Sequence, residues 1–383
     1  MKYVKVKDLG QIVTGNTPPT SDMSNYGNYM PFIKATDIIL GSRYTYVTEQ
    51  GYSEKSYKKY KANIVPKGST CIVTIGSIGK KITQAHTDLF VNQAINAILP
   101  YKQYDKDYIY YATKYAVLPQ LKIYDSGTTS GRENISKSSF SNIRLYVEED
   151  FSTQQKIASI LSAYDRLIEN NTRRIRLLEQ MAENLYKEWF VRFRFPEHEN
   201  VEMVNGLPKG WKVEKLGDYA NISTGKCNRE DAEEDGIYPL FDRSQEIKKS
   251  SKWIKDCEAI IVPGEGTSFI PRYYKGKFNL HQRCYCIEPI IKDTGFYLFY
   301  SIMLNRKYFL SVATGATVPS LRQNNFTKMK LIIAELELVK KYNKVANTIA
   351  LQIDKLKEQN QLLTRQRDLL LPRLMSGKLE VKS

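Results

Sequence analysis

The sequence is poor in the residues from which metal sites and covalent frameworks are built. Its 383 residues include five cysteines (Cys71, Cys227, Cys257, Cys284, Cys286), with no Cys-x-x-Cys pair, and three histidines, His86, His198 and His281. Closed structural zinc sites need four such ligands, so no metal is expected. Cys284 and Cys286, one residue apart in an apolar run, are expected to share one face of a strand. An odd cysteine count without a framework suits a reducing compartment. No run approaches the roughly 20 apolar residues of a membrane span. The opening MKYVKVKDLGQ has no apolar signal region. The expected location is the cytoplasm, with no membrane partner.

Acidic residues are also in deficit. Lys and Arg number 57 against 41 Asp and Glu, a net charge of +16. Such a surplus favours a polyanionic partner, because each neutralised phosphate releases condensed counterions. The alternative is a basic soluble protein with no nucleic-acid role. Hydrophobic content of 42% leaves enough material for a sizeable core, and the length suggests two or three domains.

The chain repeats itself. Leu9-Gly10 followed by Thr14-Gly15 is echoed by Leu216-Gly217 followed by Thr224-Gly225. Ile64-Val65-Pro66-Lys67-Gly68 is echoed by Ile261-Val262-Pro263-Gly264, and Asn92-Gln93 before Pro100 by His281-Gln282 before Pro289. Ser126-Gly127-Thr128-Thr129 through Phe140 then matches Thr314-Gly315-Ala316-Thr317 through Phe326. Asp165, Glu169 and Asn171 match Asp354, Glu358 and Asn360. An ordered series of this kind indicates two copies of one module.

Within each copy, short β-branched and aromatic runs such as Ile72–Ile75 and Ile260–Val262 predict strands, with shorter helices near Tyr108–Tyr115 and Phe296–Asn305. A long helical stretch follows. Ile157, Ile160, Tyr164, Leu167, Asn171, Arg174, Leu178, Met181 and Leu185 step by three and four, as do Ala346, Ile349, Ile353, Leu356, Asn360, Leu363, Arg367, Leu370 and Leu374. That is a heptad seam, and two helices matched in phase are expected to pair as a coiled coil. Roughly 40 residues at about 1.5 Å each make a rod near 60 Å long. Ser152 or Thr153 can cap the first helix. Asn171 and Asn360 can fix its register. Arg174 and Arg367 interrupt the seam, and either snorkel or mark where a third helix joins.

The expected fold is therefore α+β: two mixed α/β domains alternating with two long paired helices, as a pseudo-twofold internal repeat. The expected segments are 1–148 and 205–334 for the mixed domains, with helical regions at 149–204 and 335–383.

This layout resembles the specificity subunits of type I restriction–modification systems. The resemblance covers the whole chain and is carried most specifically by Leu185–Val191 leading into Gly206–Trp211, and by Leu369–Leu379. Gly76–Lys80 and Gly127-Thr128-Thr129 also resemble the recognition domains of the family, whereas the second copy departs, with Gly264-Glu265-Gly266-Thr267-Ser268 in place of Gly76–Lys80. The resemblance implies that each domain is a target-recognition domain reading one block of a bipartite duplex DNA target. It implies two adenine methyltransferase subunits and ATP-driven restriction/translocase subunits as partners, with the helices serving as spacer and docking platform. No cofactor is expected on this chain; S-adenosylmethionine, ATP and Mg are expected on the partner subunits.

Catalytic motifs are missing, so no catalytic residue is assigned. Asn16-Thr17-Pro18-Pro19-Thr20 has the wrong order for the Asn/Asp-Pro-Pro-aromatic loop of an adenine methyltransferase. A dinucleotide-binding glycine fingerprint is absent, and Gly76–Lys80 is too short for a phosphate-binding loop. Asp235 with Glu246-Ile247-Lys248 is a weak nuclease candidate. A stand-alone methyltransferase or nuclease, and a helical scaffold that binds only protein, are the competing readings. The candidate DNA contacts are polar residues in the matched turns: Lys34, Thr36, Arg43, Ser77, Lys80, Thr128, Thr129 and Arg132, then Arg243, Thr267, Arg272, Thr317, Ser320, Arg322 and Asn324. Tyrosine, 27 residues in all, interleaves with lysine in Tyr52–Lys61. Tyr and Lys can hold phosphates while Arg, Asn and Gln read base edges.

Overall fold

A computed structural model describes residues 1–127 and 133–381 and, of Arg229, the backbone only. The chain divides into two compact units, Met1–Thr172 with Lys357–Ser383, and Arg173–Leu356. Each unit therefore takes its globular region together with part of both long helices.

The first unit has strands β1 (Lys2–Lys5), β2 (Gly10–Thr14), β3 (Tyr26–Ile33), β4 (Gln50–Tyr52), β5 (Thr70–Val73), β6 (Ile82–Gln84), β7 (Phe90–Val91), β8 (Ile95–Pro100) and β9 (Arg144–Val147). Helices α1 (Val6–Leu9), α2 (Glu54–Tyr60), α3 (Lys106–Ala112) and α4 (Lys137–Asn142) lie between them, and the long α5 (Phe151–Tyr186) follows. The second unit has a two-residue pair, β10 (Met203–Val204) and β11 (Leu207–Pro208), and then β12 (Lys212–Lys215), β13 (Ala220–Thr224), β14 (Tyr238–Phe241), β15 (Lys248–Ser250), β16 (Lys255–Pro263), β17 (Arg272–Leu280), β18 (Cys284–Pro289) and β19 (Lys330–Ile333). Its helices are α6 (Gly295–Leu304), α7 (Lys307–Val312) and α8 (Gln323–Thr327), with α9 (Leu336–Met375) closing the order.

The repeat is visible in the pairing. β1 pairs antiparallel with β9, and β12 with β19. The second unit has one six-stranded sheet, β13-β18-β16-β17-β14-β15. The first has the same order split in two, β2-β8-β5-β6 and β4-β3-β7. The nine-residue β17 does in one strand what β6 and β7 do as two. Side chains alternate between two cores, as the twofold strand period requires. Ile260, Val262, Tyr285 and Ile287 face the helices and aromatic core, while Ala259, Ile261, Cys284 and Cys286 line the other face. The two cysteines do share a face, and both are buried free thiols.

Neither long helix has a glycine, and Pro372 of α9 falls in its last turn. The cap of α5 is Asp150, whose carboxylate accepts from Thr153 N at 2.7 Å, and not Ser152 or Thr153. In the first unit the helices run antiparallel: Asp165 meets Arg367, and Asn171 Nδ2 donates to Gln359 Oε1 at 3.4 Å. Asn360 Nδ2 donates to Ile168 O and Thr172 Oγ1, each at 3.3 Å. In the second unit Tyr342 OH donates to Ala182 O at 3.1 Å.

The seam of α9 buries Ala346, Ile349, Ile353, Leu356 and Arg367. On α5 one row is displaced. Leu167 and Met181 are exposed, Arg174 is exposed and Ile160 only half-buried, whereas Leu161 and Ala182 are buried, with Ile168 and Ile175 partly so. The row through Ile157, Tyr164, Asn171, Leu178 and Leu185 stands. Its companion lies one residue further along, at Leu161, Ile168, Ile175 and Ala182. Adjacent apolar pairs (Ile160-Leu161, Leu167-Ile168) satisfy a 3-4 and a 4-3 alternation equally, and packing chooses the second.

Arg367 neither snorkels nor awaits another helix. It is 2% exposed and bonded to Asp165 at 2.5 Å, with Asp165 also accepting from Tyr111 OH. Burial works against the Arg367 charge, but the Asp165 carboxylate more than offsets it and raises the Arg367 pKa.

The motifs behind the family resemblance are core. Tyr186 OH shares a hydrogen bond with Ser301 Oγ at 2.7 Å, and Trp211 stacks on Phe195. Leu371, Leu374 and Met375 pack with Val4, Tyr110 and Leu145 in the first unit.

Candidate nucleic-acid interface

Five chain segments converge on one corner in each unit, held by equivalent backbone bonds. In the first, β3 lies parallel to β7 with Ile33 opposite Val91, and Asn92 N donates to Ile33 O at 3.0 Å. In the second, Phe241 lies opposite Leu280, and His281 N donates to Phe241 O at 2.9 Å. The Thr-Gly turn docks on the same strand end, through Asn16 N to Val91 O at 3.0 Å and Lys226 N to Leu280 O at 3.1 Å. A Cβ on Gly15 or Gly225 would run into the Val91 or Leu280 carbonyl, so the close approach requires glycine.

The loop after β5 joins this corner through Thr74 N to Ala94 O, and the loop after β16 through Gly264 N to Arg283 O, both at 2.8 Å. The fifth segment then pairs with that loop. Gly76 N donates to Glu133 O (2.9 Å) and Ile135 N to Thr74 O (2.9 Å); Gly266 N donates to Pro319 O (3.0 Å) and Leu321 N to Gly264 O (2.8 Å). These bonds align Thr74 with Gly264 and Gly76 with Gly266, which corrects the pairing of Gly76 with Gly264 and the match of Ile64–Gly68 with Ile261–Gly264. Both Gly76 (φ 87°) and Gly266 (φ 128°) have the positive φ that favours glycine.

Several candidates sit here as exposed side chains: Thr36, Ser77 and Lys80 in the first unit, and Arg243, Thr267 and Thr317 on loops of the second, with Arg322 capping α8 and Asn324 in its first turn. Ser320 is half-buried and bonded through its backbone to Thr314. Lys34 is half-buried with its ammonium on Glu49 at 2.9 Å. Thr128, Thr129 and Arg132 lie outside the described residues.

Two candidates are structural instead. Arg43 is 5% exposed and spends its guanidinium on Gln84 (2.8 Å), Ser162 (2.7 Å) and Asp107 (2.5 Å). Arg272 points its two Nη atoms at the carbonyls of Ser244 (2.9 Å) and Asp242 (2.6 Å), and burial lowers its pKa. It holds the corner loop as Lys81 does in the first unit, where Lys81 Nζ donates to Ala35 O at 2.7 Å. Much of Tyr52–Lys61 is likewise committed. Tyr52 is buried with its hydroxyl on Asn16 O, Lys55 pairs with Asp22 and Lys58 with Glu54.

Glu265 and Arg283 escaped the sequence reading. Glu265 receives Arg243 at 2.5 Å and Arg283 at 3.1 Å. Burial first, then the Arg243 charge, push the His281 pKa below its usual value, so the ring is neutral near pH 7 and its Nδ1 accepts from Arg283 N at 3.0 Å. The signal available was position: Arg283 follows directly on the matched pair His281-Gln282.

Chemically the corner offers hydrogen-bond donors and acceptors on close-approaching loops. Lys248 of the weak nuclease candidate is bonded to Asp242 at 2.7 Å. Among the described residues no group of three or more His, Cys, Asp or Glu side chains could hold a metal ion, and no helix is long and apolar enough to cross a membrane.

Comparison with known proteins is consistent with this geometry. The chain is 27% identical to the MjaIX type I restriction enzyme specificity subunit of Methanocaldococcus jannaschii, over 99% of this chain and 93% of that one. It is 32% identical to the EcoDI specificity subunit of Escherichia coli over 45% of this chain and 39% of that one. The crystal structure of a type I restriction–modification S subunit from M. genitalium has the same fold, with a TM-score of 0.61 at 17% identity, over 98% of this chain and 96% of that chain. The family described as type I restriction modification DNA specificity domain matches residues 1–180 and again 208–367. With both units matched, the chain belongs to the type I restriction–modification DNA specificity family, as a specificity subunit that carries the domain twice.

Proposed function

We propose that this chain binds a bipartite duplex DNA target, one block per unit, and directs the chemistry of partner subunits without a catalytic centre of its own. The carrying observation is the repeated corner, where the same backbone bonds present different side chains in the two units. A chain reading two unlike blocks needs that combination of shared frame and divergent surface. The +16 charge supplies the sequence-independent attraction to phosphate.

On this reading the partners are two adenine methyltransferase subunits and the restriction/translocase subunits. S-adenosylmethionine, ATP and Mg bind to those partners. The site of action is the cytoplasm. The purified chain should transfer no methyl groups and cut no DNA, whereas with its methyltransferase subunit it should direct adenine methylation within a bipartite sequence. Exchanging residues 1–148 for those of another family member should change one block and leave the other. Robust turnover by the lone chain, or an exchange that alters both blocks, refutes the reading.

A further inference from the structure

The two units differ most informatively at three positions of the shared corner. Arg243 lies two residues beyond Phe241, Glu265 one residue before Gly266, and Arg283 is the residue whose carbonyl receives Gly264 N. Counted from the equivalent backbone bonds, the first unit has Ala35, Ile75 and Ala94. The bridge from Glu265 to Ser320 has its counterpart in the bridge from Ile75 to Asn134. Arg-Glu-Arg thus stands on the frame that elsewhere carries Ala-Ile-Ala.

The charged version is layered. The Glu265 side chain is 15% exposed, whereas Arg243 and Arg283 are 48% and 53% exposed. One carboxylate oxygen takes each arginine: Oε2 lies 2.5 Å from Arg243 Nη1, and Oε1 lies 3.1 Å from Arg283 Nη1. Two guanidinium groups on one carboxylate leave a positive charge over. Each contact occupies a single Nη, and among the described residues no other hydrogen bond engages either fork. A carboxylate set behind two planar forks restricts their rotamers before a ligand arrives, which lowers the ordering cost of binding.

We propose that Arg243, Glu265 and Arg283 form the base-discriminating cluster of the second unit, with Glu265 as the positioning residue that aims both guanidinium groups at guanine edges in the major groove. The proposal rests on the reading of the chain as a duplex DNA binder. A guanidinium fork matches guanine O6 and N7 bidentately, and no other base offers two acceptors there. The block read by the second unit should therefore contain at least one G·C pair.

The test uses the full chain assembled with its methyltransferase subunit, with methylated adenines mapped in the host genome. The variants are Arg283→Lys and the triple Arg243→Ala/Glu265→Ile/Arg283→Ala, which installs the first unit's residues. Both should keep one block intact and accept other bases at a G·C position of the other. Competition binding with duplexes altered at that pair should show preference falling roughly 10- to 100-fold. Arg283→Lys keeps the charge and stem, so continued reading of the intact block reports a folded complex. Glu265→Gln, which keeps one hydrogen-bonding oxygen, should relax the motif less than Glu265→Ala.

Unchanged motifs in both variants overturn the proposal. So does a uniform loss of affinity on every duplex with the salt slope reduced by about one per arginine, which would make these phosphate contacts. A second block without G·C pairs also overturns it. A wild-type complex with no bipartite motif defeats the underlying reading instead, and is distinguished because it needs no variant.

Discussion

Arg367 and Asp165 show how much a single buried charge can matter. Their side chains are 2% and 6% exposed, and Tyr111 adds a second bond to the carboxylate. Removing Arg367 strands the Asp165 carboxylate away from water with only the Tyr111 hydroxyl to hold it, so Arg367→Ala should destabilise the protein by about 3–5 kcal/mol. Replacing both, as Asp165→Leu/Arg367→Met, should recover most of that loss, because paired apolar groups carry no desolvation cost. Chemical denaturation of the single and double variants measures the coupling. A fully additive cycle would show that the pair does not interact.

Asp242 gives a pH-dependent counterpart. Burial tends to raise its pKa, but bonds from Lys248 and Ser244 win and lower it to about 2. Unfolded, the group titrates near 4. Its stabilisation is therefore complete above about pH 4 and fades as the pH falls through 2. Asp242→Asn should abolish that part of the acid-side loss, so that the stability difference from the parent shrinks between pH 4 and pH 2. An unchanged difference across this window would remove Asp242 from the account. No charge count could have located this pair, because Lys248 reaches Asp242 only through the pairing of β14 with β15.

The long helices were the most legible elements, since periodicity and absent breakers speak directly to α5 and α9. Their partners on the sheet were not legible, because pairing is non-local and strand runs such as Ile72–Val73 fit several neighbours. The displaced row on α5 lies between these cases. Leu161→Ala should cost about 2–5 kcal/mol as a core truncation. Leu167→Ala, at an exposed position, should stay within about 0.5 kcal/mol. Thermal melts of the two variants decide between the phases, and equal shifts would restore the original seam. The corner itself was half legible. Its Thr-Gly turns stand out as matches, but its Gly loops were set out of step by two residues, and Arg283 had to be found by the bond to its carbonyl. Arg43 and Arg272 were misplaced for the converse reason: a basic residue in a turn looks available until burial shows what it already holds.

At the scale of the molecule the two units are not alike in how the chain fills them. The second is one uninterrupted stretch, Arg173–Leu356, whereas the first takes Met1–Thr172 and then Lys357–Ser383. Leu371, Leu374 and Met375 lie in the first unit's core, so that core stays unfinished until the last helix turns exist. A ribosome delivers residues in order at about 5–20 per second, and domains usually fold N-terminus first. Here the order of completion is reversed: the unit begun first is finished last. Nascent chains stalled near residue 356, with the remaining tract replaced by an unrelated linker, should show protease protection over Arg173–Leu356 while Met1–Thr172 remains cleavable. Equal protection of both would mean that the N-terminal half consolidates without its final helix. For an interval of seconds during every synthesis, an exposed apolar groove waits for its own chain end, and that interval is where chaperones would engage the protein.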